Sequence, residues 1–169
     1  MGLFSCFEPE EYVDAYGRIT PEFLKERGIR GVIFDIDNTL VPQDAPITAE
    51  VLAYFELLHR AGIKTFFLSN NSSESRVADF AEATGSGFLS RAKKPRSKGY
   101  IKAIRRMRTG RRSTLVVGDQ LFTDIYGARR LRIPCVLVAP VAPEKDCASV
   151  RLKRPLEKLL FRIWKRKNT

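Results

Sequence analysis

The sequence predicts an α/β fold in which helices cover both faces of a doubly wound parallel sheet. Four short runs are rich in β-branched and aromatic residues and end in polar ones, namely residues 31–35, 64–69, 113–119 and 134–139. Because these runs lack the alternation of a half-exposed strand, they are typical of parallel strands that are buried on both faces. Helical patterns separate them, and such an alternation of strands and helices favours a parallel sheet.

Each predicted helix carries a local start or stop signal. An N-terminal helix begins at Thr20-Pro21, with proline at its first position, and ends at Gly28. The other helices are predicted over residues 48–62, after Ser73, over 97–107 and over 123–131. Residues 87–90 are a further candidate strand, whereas the residues before Tyr16 follow no clear pattern.

The composition fits one compact domain with an uneven charge. A chain of 169 residues with 44% hydrophobic content can build one core but not two full domains. Residues 91–112 hold eleven lysines or arginines and no acid, and residues 151–169 hold eight with one acid, Glu157. We therefore expect an anionic partner. The predicted organisation is an N-terminal extension (1–30) packed on the core, the core itself (31–148) and a basic amphipathic C-terminal helix (149–169).

The counts of histidine and cysteine exclude several kinds of chemistry. His59 is the only histidine, so Ser-His-Asp triads and multi-histidine zinc sites are excluded. Cys6, Cys135 and Cys147 form no C-x-x-C pair, which favours a reducing, cytoplasmic compartment. Any acid–base chemistry must then come from carboxylates. No apolar run approaches the roughly 20 residues that a membrane-spanning helix needs.

Four aspartates follow predicted strands. Asp35 and Asp37 come at and after the end of the first strand, Asp119 ends the third of the four main runs, and Asp124 follows five residues later. In an open parallel sheet, ligands bind beyond the carboxyl ends of the strands. Asp35 and Asp37 can flank one reacting centre, one attacking and the other moving a proton. Asp119 and Asp124 offer the hard oxygen ligands that Mg²⁺ prefers.

Three other residues fit the binding of a phosphoryl group. Ser69 and Asn70 follow the second strand, where a hydroxyl and backbone N–H groups could hold phosphate oxygens. Lys94 supplies a point charge that could neutralise a phosphoryl oxygen. Each signal also has a plain structural explanation: an Asx-rich loop for the two aspartates, a solvated side chain for the lysine, and helix capping for Asp124.

The order of the segments DIDNT, LSN, KKP and GDQLFTD resembles the four-motif signature of the haloacid dehalogenase-like phosphatases. The resemblance implies a Rossmann-like, capless single domain that uses Mg²⁺ and forms an aspartyl-phosphate on Asp35. It implies that Asp37 is the general acid–base with its backbone carbonyl on the metal, and that Asp35, Asp119 and Asp124 complete the metal site. Ser69 and Lys94 would hold the phosphoryl group. An aspartate at the second motif position favours phosphate esters over carbon–halogen bonds.

The N-terminal YVDAYGRITPEFLKERGIRGVIFDIDNTLVP, the short loops and GDQLFTD are more specifically similar to the YqeG-type group of subfamily IIIA. Its mitochondrial relatives are phosphatidylglycerophosphate phosphatases, which implies a lipid headgroup as the substrate. After Pro155, an apolar stripe of Leu156, Leu159, Leu160, Ile163 and Trp164 predicts a helix that lies on an anionic membrane surface or packs on its own domain.

Two alternatives to the lipid substrate follow from the basic run at 91–112. One is a phosphatase of the same mechanism that acts on a soluble substrate or one associated with RNA or the ribosome. In that run Tyr100 is the only aromatic residue, which gives base stacking little support. The other is a basic binding or assembly module with little catalysis, although such a module would not need Asp35, Asp37, Lys94 and Asp119 together.

Overall fold

A computed structural model describes residues 5–168, which form one parallel sheet of six strands with helices on both faces. The strands are β1 (Glu11–Val13), β2 (Gly31–Phe34), β3 (Lys64–Leu68), β4 (Gly87–Leu89), β5 (Thr114–Gly118) and β6 (Cys135–Val138). Their order across the sheet is β1-β6-β5-β2-β3-β4, and every neighbouring pair is parallel. The predicted Rossmann-like α/β fold is confirmed.

The described residues form six α-helices, of which the first three begin directly after the residues predicted to precede or cap them. They are α1 (Pro21–Glu26), α2 (Ala49–Arg60), α3 (Glu74–Thr84), α4 (Ser97–Met107), α5 (Tyr126–Arg130) and α6 (Ala148–Asn168). The side chains of Thr20, Thr48 and Ser73 each accept a hydrogen bond from a backbone N–H in the first turn of the helix that follows. Within residues 5–168, no helix is long and apolar enough to cross a membrane.

Two apolar layers sandwich the sheet. Neighbouring residues on a strand point to opposite faces, so Phe34 and Phe67 pack in one layer while Ile33 and Phe66 pack in the other. The first layer is closed by residues of α1, α2 and α3, and the second by residues of α4 and α5, with Leu160 and Phe161 of α6 at its margin. The central strands β2, β3 and β5 are therefore held rigidly at the middle of the domain.

Two elements differ from the sequence-based expectation. β1 was not predicted, because it has only three residues and only Val13 of them is buried. It makes residues 11–13 an edge strand of the sheet, paired with β6. The predicted helix over 123–131 is preceded by a π-helical turn, Leu121–Ile125, and α5 follows that turn directly.

Helix α6 contains a proline, and its apolar residues are divided between two sides. The helix starts at Ala148, within one residue of the predicted 149–169, and it includes Pro155. Leu160 and Trp164 are half-buried, whereas the other three residues of the predicted stripe, Leu156, Leu159 and Ile163, are exposed. The helix holds together across the proline because Arg154 and Glu157, on either side of it, make contacts with the body of the domain.

Candidate active site

Three buried aspartates meet at the carboxyl ends of the central strands. Asp35 follows β2, Asp119 follows β5, and Asp124 lies in the π-helical turn. One carboxylate oxygen from each lies within 4.8 Å of the others. An octahedral Mg²⁺ site with bonds of about 2.0–2.1 Å places its ligands roughly 3–4 Å apart, so a small contraction would let the three oxygens share one ion. The residues present therefore fit a hard divalent cation.

Gly118 makes room for Asp124. A Cβ atom at position 118 would lie 2.3 Å from Cγ of Asp124, a distance at which something must move. The π-helical turn brings Asp124 back toward the end of β5, where its Oδ2 accepts from the backbone N–H of Gln120 at 3.3 Å. Such turns often occur at functional sites because they change the direction of one side chain. The glycine and the turn together place the third carboxylate.

Lys94 is buried against two of these carboxylates. Its Nζ donates to Oδ1 of Asp35 at 2.8 Å and to Oδ1 of Asp124 at 2.7 Å. Its backbone is held by Asn70, whose Oδ1 accepts from the Lys94 N–H at 2.7 Å and whose Nδ2 donates to the Lys94 carbonyl at 3.2 Å. The structure thus brings Lys94, Asp35, Asp119 and Asp124 together, as the motif order predicts.

Burial of so many carboxylates disturbs their ionisation. Burial raises the pKa of Asp35 to about 7, opposed by the charge of Lys94 and assisted by Asp124. Burial and the nearby Asp35 raise the pKa of Asp119 to about 8, against the opposing charge of Arg154. Burial alone would lower the pKa of Lys94, but Asp124 and Asp35 outweigh it and raise that pKa. The cluster has an excess of negative charge that a divalent cation would neutralise.

Asp37 stands apart from the three-carboxylate group. Its Oδ1 accepts from the Asp44 N–H at 3.0 Å and forms an ion pair with Nη2 of Arg76, also at 3.0 Å. Its Oδ2 accepts from Nδ2 of Asn71 at 3.1 Å. The side chain lines the pocket into which Asp35 opens. This position suits a proton-transfer role better than side-chain metal binding, and both the acid–base role and the backbone metal contact stay predictions.

Ser69 and Asn70 lie at the end of β3, where they were expected. Oγ of Ser69 accepts from the Asn71 N–H at 3.0 Å, and a serine hydroxyl can donate a hydrogen bond at the same time. The side-chain amide of Asn70 bonds to both backbone groups of Lys94. A phosphate contact for either residue stays a prediction, but for Asn70 the observed bonds point to a role in positioning Lys94.

The sequence interpretation missed several residues that hold the site. Arg154 of α6 donates to Asp119 and to Asp146, and Thr39 donates to Asp119. Asn71 and Arg76 hold Asp37. One signal could have located Arg154: Glu157 is the single acid in the basic segment 151–169 and lies one helical turn away, which marks that side of the helix as the inward one.

The pocket above the aspartates is bordered by four parts of the chain. It is lined by the loop after β2, the loop after β3, the π-helical turn and the N-terminal part of α6; the α6 residues are Ser149, Val150 and Lys153. Between β2 and β3 the chain holds a single helix, α2, and between β3 and α4 it holds α3 and the short β4. Neither interval contains a separate cap domain.

Comparison with known proteins agrees with this geometry. The profile of the haloacid dehalogenase-like hydrolases matches residues 43–132. A probable phosphatase of Bacillus subtilis, YqeG, is 41% identical over 166 residues, covering 98% of this chain and 95% of the relative. Phosphatidylglycerophosphate phosphatase 1 of Arabidopsis thaliana, chloroplastic/mitochondrial, is 30% identical over 160 residues, covering 86% of this chain and 44% of the relative.

Solved structures show the same fold at low sequence identity. An uncharacterized protein of Listeria monocytogenes serotype 4b superimposes with a TM-score of 0.53 at 18% identity, over 77% of this chain and 99% of that one. A hypothetical protein of Xanthomonas campestris gives a TM-score of 0.56 at 14% identity, over 70% and 72%.

The chain belongs to the haloacid dehalogenase-like hydrolase family. The predicted enzyme class, a phosphatase of this type, is likewise confirmed.

Proposed function

We propose that this protein is a Mg²⁺-dependent phosphatase that hydrolyses phosphatidylglycerophosphate to phosphatidylglycerol through an aspartyl-phosphate on Asp35. The observation that carries the chemistry is the buried contact of Lys94 with Asp35 and Asp124, inside a group of three carboxylates. Phosphate monoesters resist hydrolysis so strongly that catalysis requires both neutralised charge and in-line alignment. Asp35, Asp119 and Asp124 would hold the ion.

Asp35 is the nucleophile in this proposal. Its carboxylate oxygen attacks phosphorus, the bond between phosphorus and the ester oxygen breaks, and the leaving alkoxide departs on the opposite side. Lys94, fixed by Asn70, neutralises a phosphoryl oxygen as charge develops. Ser69 donates its hydroxyl to another. Mg²⁺, when bound, supplies the Lewis acidity that neutralises the rest of the phosphoryl charge.

Asp37 moves the proton in both halves of the reaction. It donates a proton to the leaving alkoxide in the first displacement, and in the second it takes a proton from the water that attacks the aspartyl-phosphate. The bonds from Asn71 and Arg76 keep its carboxyl group in one orientation at the pocket wall. Phosphate is released and Asp35 returns to its starting state.

The exposed apolar face of α6 supports the proposal that the substrate lies in a membrane. Leu152, Leu156, Leu159 and Ile163 are 84%, 52%, 52% and 36% exposed, and their spacing of i, i+4, i+7 and i+11 places them on one face. Exposed lysines and arginines flank this face: Arg151, Lys153, Lys158, Arg162, Lys165, Arg166 and Lys167. Each can contribute about 1 kcal/mol near an anionic bilayer. The helix can thus lie on a lipid surface.

The same helix reaches the pocket. Val150 and Lys153, in its first two turns, line the pocket that also contains Asp35 and Asp37. A bilayer that meets the outer face of α6 would therefore present its headgroups beside the nucleophile, and Lys153 offers a charge for an anionic headgroup. The open pocket leaves room for a substrate that remains anchored by its acyl chains.

The chemistry is tested by phosphate release from an aryl phosphate with and without Mg²⁺. We expect turnover to require Mg²⁺ and to be lost in Asp35→Asn and in Asp37→Asn, while the exposed Asp14→Asn serves as the control. Parent-like turnover in either pocket variant would rule out the mechanism.

The substrate is tested by comparing phosphatidylglycerophosphate in vesicles with soluble phosphate esters and with 5′- or 3′-phosphorylated RNA. We expect the vesicle substrate to give the highest kcat/KM. The double variant Leu156→Ser/Leu159→Ser should lower turnover on vesicles and leave aryl phosphate turnover unchanged. A preference for RNA or for a soluble ester would remove the lipid assignment and keep the phosphatase.

A further inference from the structure

Arg154 is the residue of α6 whose positive charge contacts the acidic cluster, through Asp119. Its guanidinium donates to Oδ2 of Asp119 at 2.5 Å and to the Asp119 carbonyl at 3.0 Å. It also donates to Asp146 at 2.7 and 3.2 Å, and to Glu157 at 3.3 Å. The side chain is only 12% exposed. A planar fork with this many fixed acceptors has one orientation, which a lysine could not reproduce.

The two oxygens of Asp119 have different partners. Oδ2 is held by Arg154, and Oδ1 accepts from the hydroxyl of Thr39 at 3.2 Å. A carboxylate oxygen can accept two hydrogen bonds, so Oδ1 keeps a lone pair that a cation can use. The Asp119 side chain is fully buried, and its two oxygens are oriented by Arg154 and by Thr39.

The contacts of Arg154 also reach the loop that carries the nucleophile. Asp146, which binds Arg154, accepts from Nδ2 of Asn38 at 2.5 Å. Asn38 lies between Asp37 and Thr39 in the loop after β2, and its Oδ1 accepts from the Ala142 N–H at 3.1 Å. Helix α6 is therefore joined to both sides of the metal site, through Asp119 on one side and Asn38 on the other.

A positive charge near a cation site could also oppose metal binding. Arg154, however, is surrounded by the carboxylates of Asp119, Asp146 and Glu157. Three negative charges around one positive charge leave the environment favourable for a further cation, so the orientation of Asp119 is the stronger effect. Partners that orient metal ligands in this way typically contribute about 10–100-fold to metal affinity.

We propose that Arg154 is a positioning residue for the Mg²⁺ site, which makes α6 a structural part of the active site rather than an appendage. This inference rests on the proposed metal-dependent function. It assigns Arg154 no contact with the substrate. Its loss weakens the affinity for Mg²⁺ and leaves the binding of substrate at saturating Mg²⁺ nearly unchanged. An arginine that merely blocked Asp119 would have the opposite effect on affinity.

The test measures Mg²⁺ binding to the full-length protein by isothermal titration calorimetry, for the parent, Arg154→Ala and Arg154→Lys. We expect Kd to rise about 10–100-fold in Arg154→Ala and by less in Arg154→Lys, which keeps the charge but not the fork. The exposed Arg105→Ala on α4 is the matched control. The KM for an aryl phosphate at saturating Mg²⁺ should stay within about twofold of the parent, whereas the Mg²⁺ concentration at half-maximal activity follows Kd.

Melting temperatures in EDTA separate a metal effect from a general loss of stability. If Arg154→Ala does not fold, Arg154→Lys and Asp146→Asn carry the test, and both should bind Mg²⁺ more weakly than the parent. Parent-like or tighter binding in folded variants would overturn the role of Arg154 and leave the proposed phosphatase intact. Absence of Mg²⁺ binding to the parent would overturn both.

Discussion

Lys94 and Arg154 come from the two most basic segments of the chain and reach the same acidic cluster. Lys94 contacts Asp35 and Asp124, and Arg154 contacts Asp119. Every other lysine and arginine of residues 91–112 and 151–167 is exposed. Each basic segment thus delivers one buried cation to the site, and the rest of its charge faces solvent. The acids inside the protein therefore explain part of the charge pattern, and an anionic partner for the exposed part stays a prediction.

The two cations differ in what they can hold. Lys94 is a point charge shared by two carboxylates, through Oδ1 of Asp35 and Oδ1 of Asp124. Arg154 is a planar fork that fixes the direction of one carboxylate and binds its neighbours. Loss of Lys94 should therefore damage the chemical step, whereas loss of Arg154 should damage metal affinity.

The largest effect is expected for Lys94→Met. Removing a cation that stabilises transition-state charge typically lowers kcat by about 10²–10³-fold, and it also leaves Asp35 and Asp124 buried without their partner. Phosphate release from an aryl phosphate measures the loss. Lys93→Met changes the exposed neighbour and is the control. If Lys94→Met and Lys93→Met turn over equally, the charge of Lys94 does not assist the chemical step, and the contrast with Arg154 fails.

A second substitution tests the placement of Asp124, one of the two carboxylates that contact Lys94. In Gly118→Ala the new Cβ would lie 2.3 Å from Asp124 Cγ, so the Asp124 side chain or its surroundings must shift. We expect a loss of about 1–3 kcal/mol of stability and weaker Mg²⁺ binding. Gly17→Ala, where the added atom would meet nothing within 4 Å, is the control. Denaturant unfolding measures the stability of both variants, and equal stabilities would contradict the crowding of Asp124.

The effect of Mg²⁺ on the melting temperature should depend on pH, through Asp35 beside Lys94 and Asp119 beside Arg154. The pKa of Asp35 is raised from 3.8 to about 7 and that of Asp119 to about 8. Between 3.8 and these values the unfolded chain loses its protons first, so these groups make the metal-free protein less stable as pH rises. Mg²⁺ favours the ionised carboxylates. We therefore expect Mg²⁺ to raise the melting temperature more at pH 8 than at pH 5, and an equal rise at both would contradict this.

The smallest effect concerns the two sides of α6. Leu159→Ser alters an exposed side chain and should change stability by no more than about 0.5 kcal/mol. Leu160→Ser alters a side chain that packs against the second apolar layer, and should lower the melting temperature clearly further. Aryl phosphate turnover should stay near the parent value in Leu159→Ser. Equal destabilisation by both changes would mean that the helix does not present a free outer face.

Much of the fold could be predicted because its central strands are buried on both faces. Such strands appear as continuous apolar runs, and the polar residues that follow them mark one edge of the sheet. β1 escaped this logic, since three residues with a single buried side chain carry no pattern. The π-helical turn also escaped it, because its form depends on the absent side chain of Gly118 and on the hydrogen bond from Gln120 to Asp124.

The site was predictable where its residues follow strands and not where they depend on distant packing. Asp35, Lys94, Asp119 and Asp124 meet as the motif order indicates. Glu157 marks the inward side of α6, but which carboxylate the fork of Arg154 meets depends on how the helix packs. The predicted helix over 149–169 includes Arg154, but the contact of its guanidinium with Asp119 depends on the docking of that helix onto the domain.

The absence of a cap between β2 and α4 has a consequence for selectivity. An enzyme that encloses its substrate can select it by shape, but a pocket without a cap has fewer walls for that purpose. Which esters it cleaves then depends on which ones are concentrated where the protein resides. Attachment to a surface raises the effective concentration of every ester in that surface. Moving the protein to another compartment would consequently change what it hydrolyses without altering a single residue near Asp35.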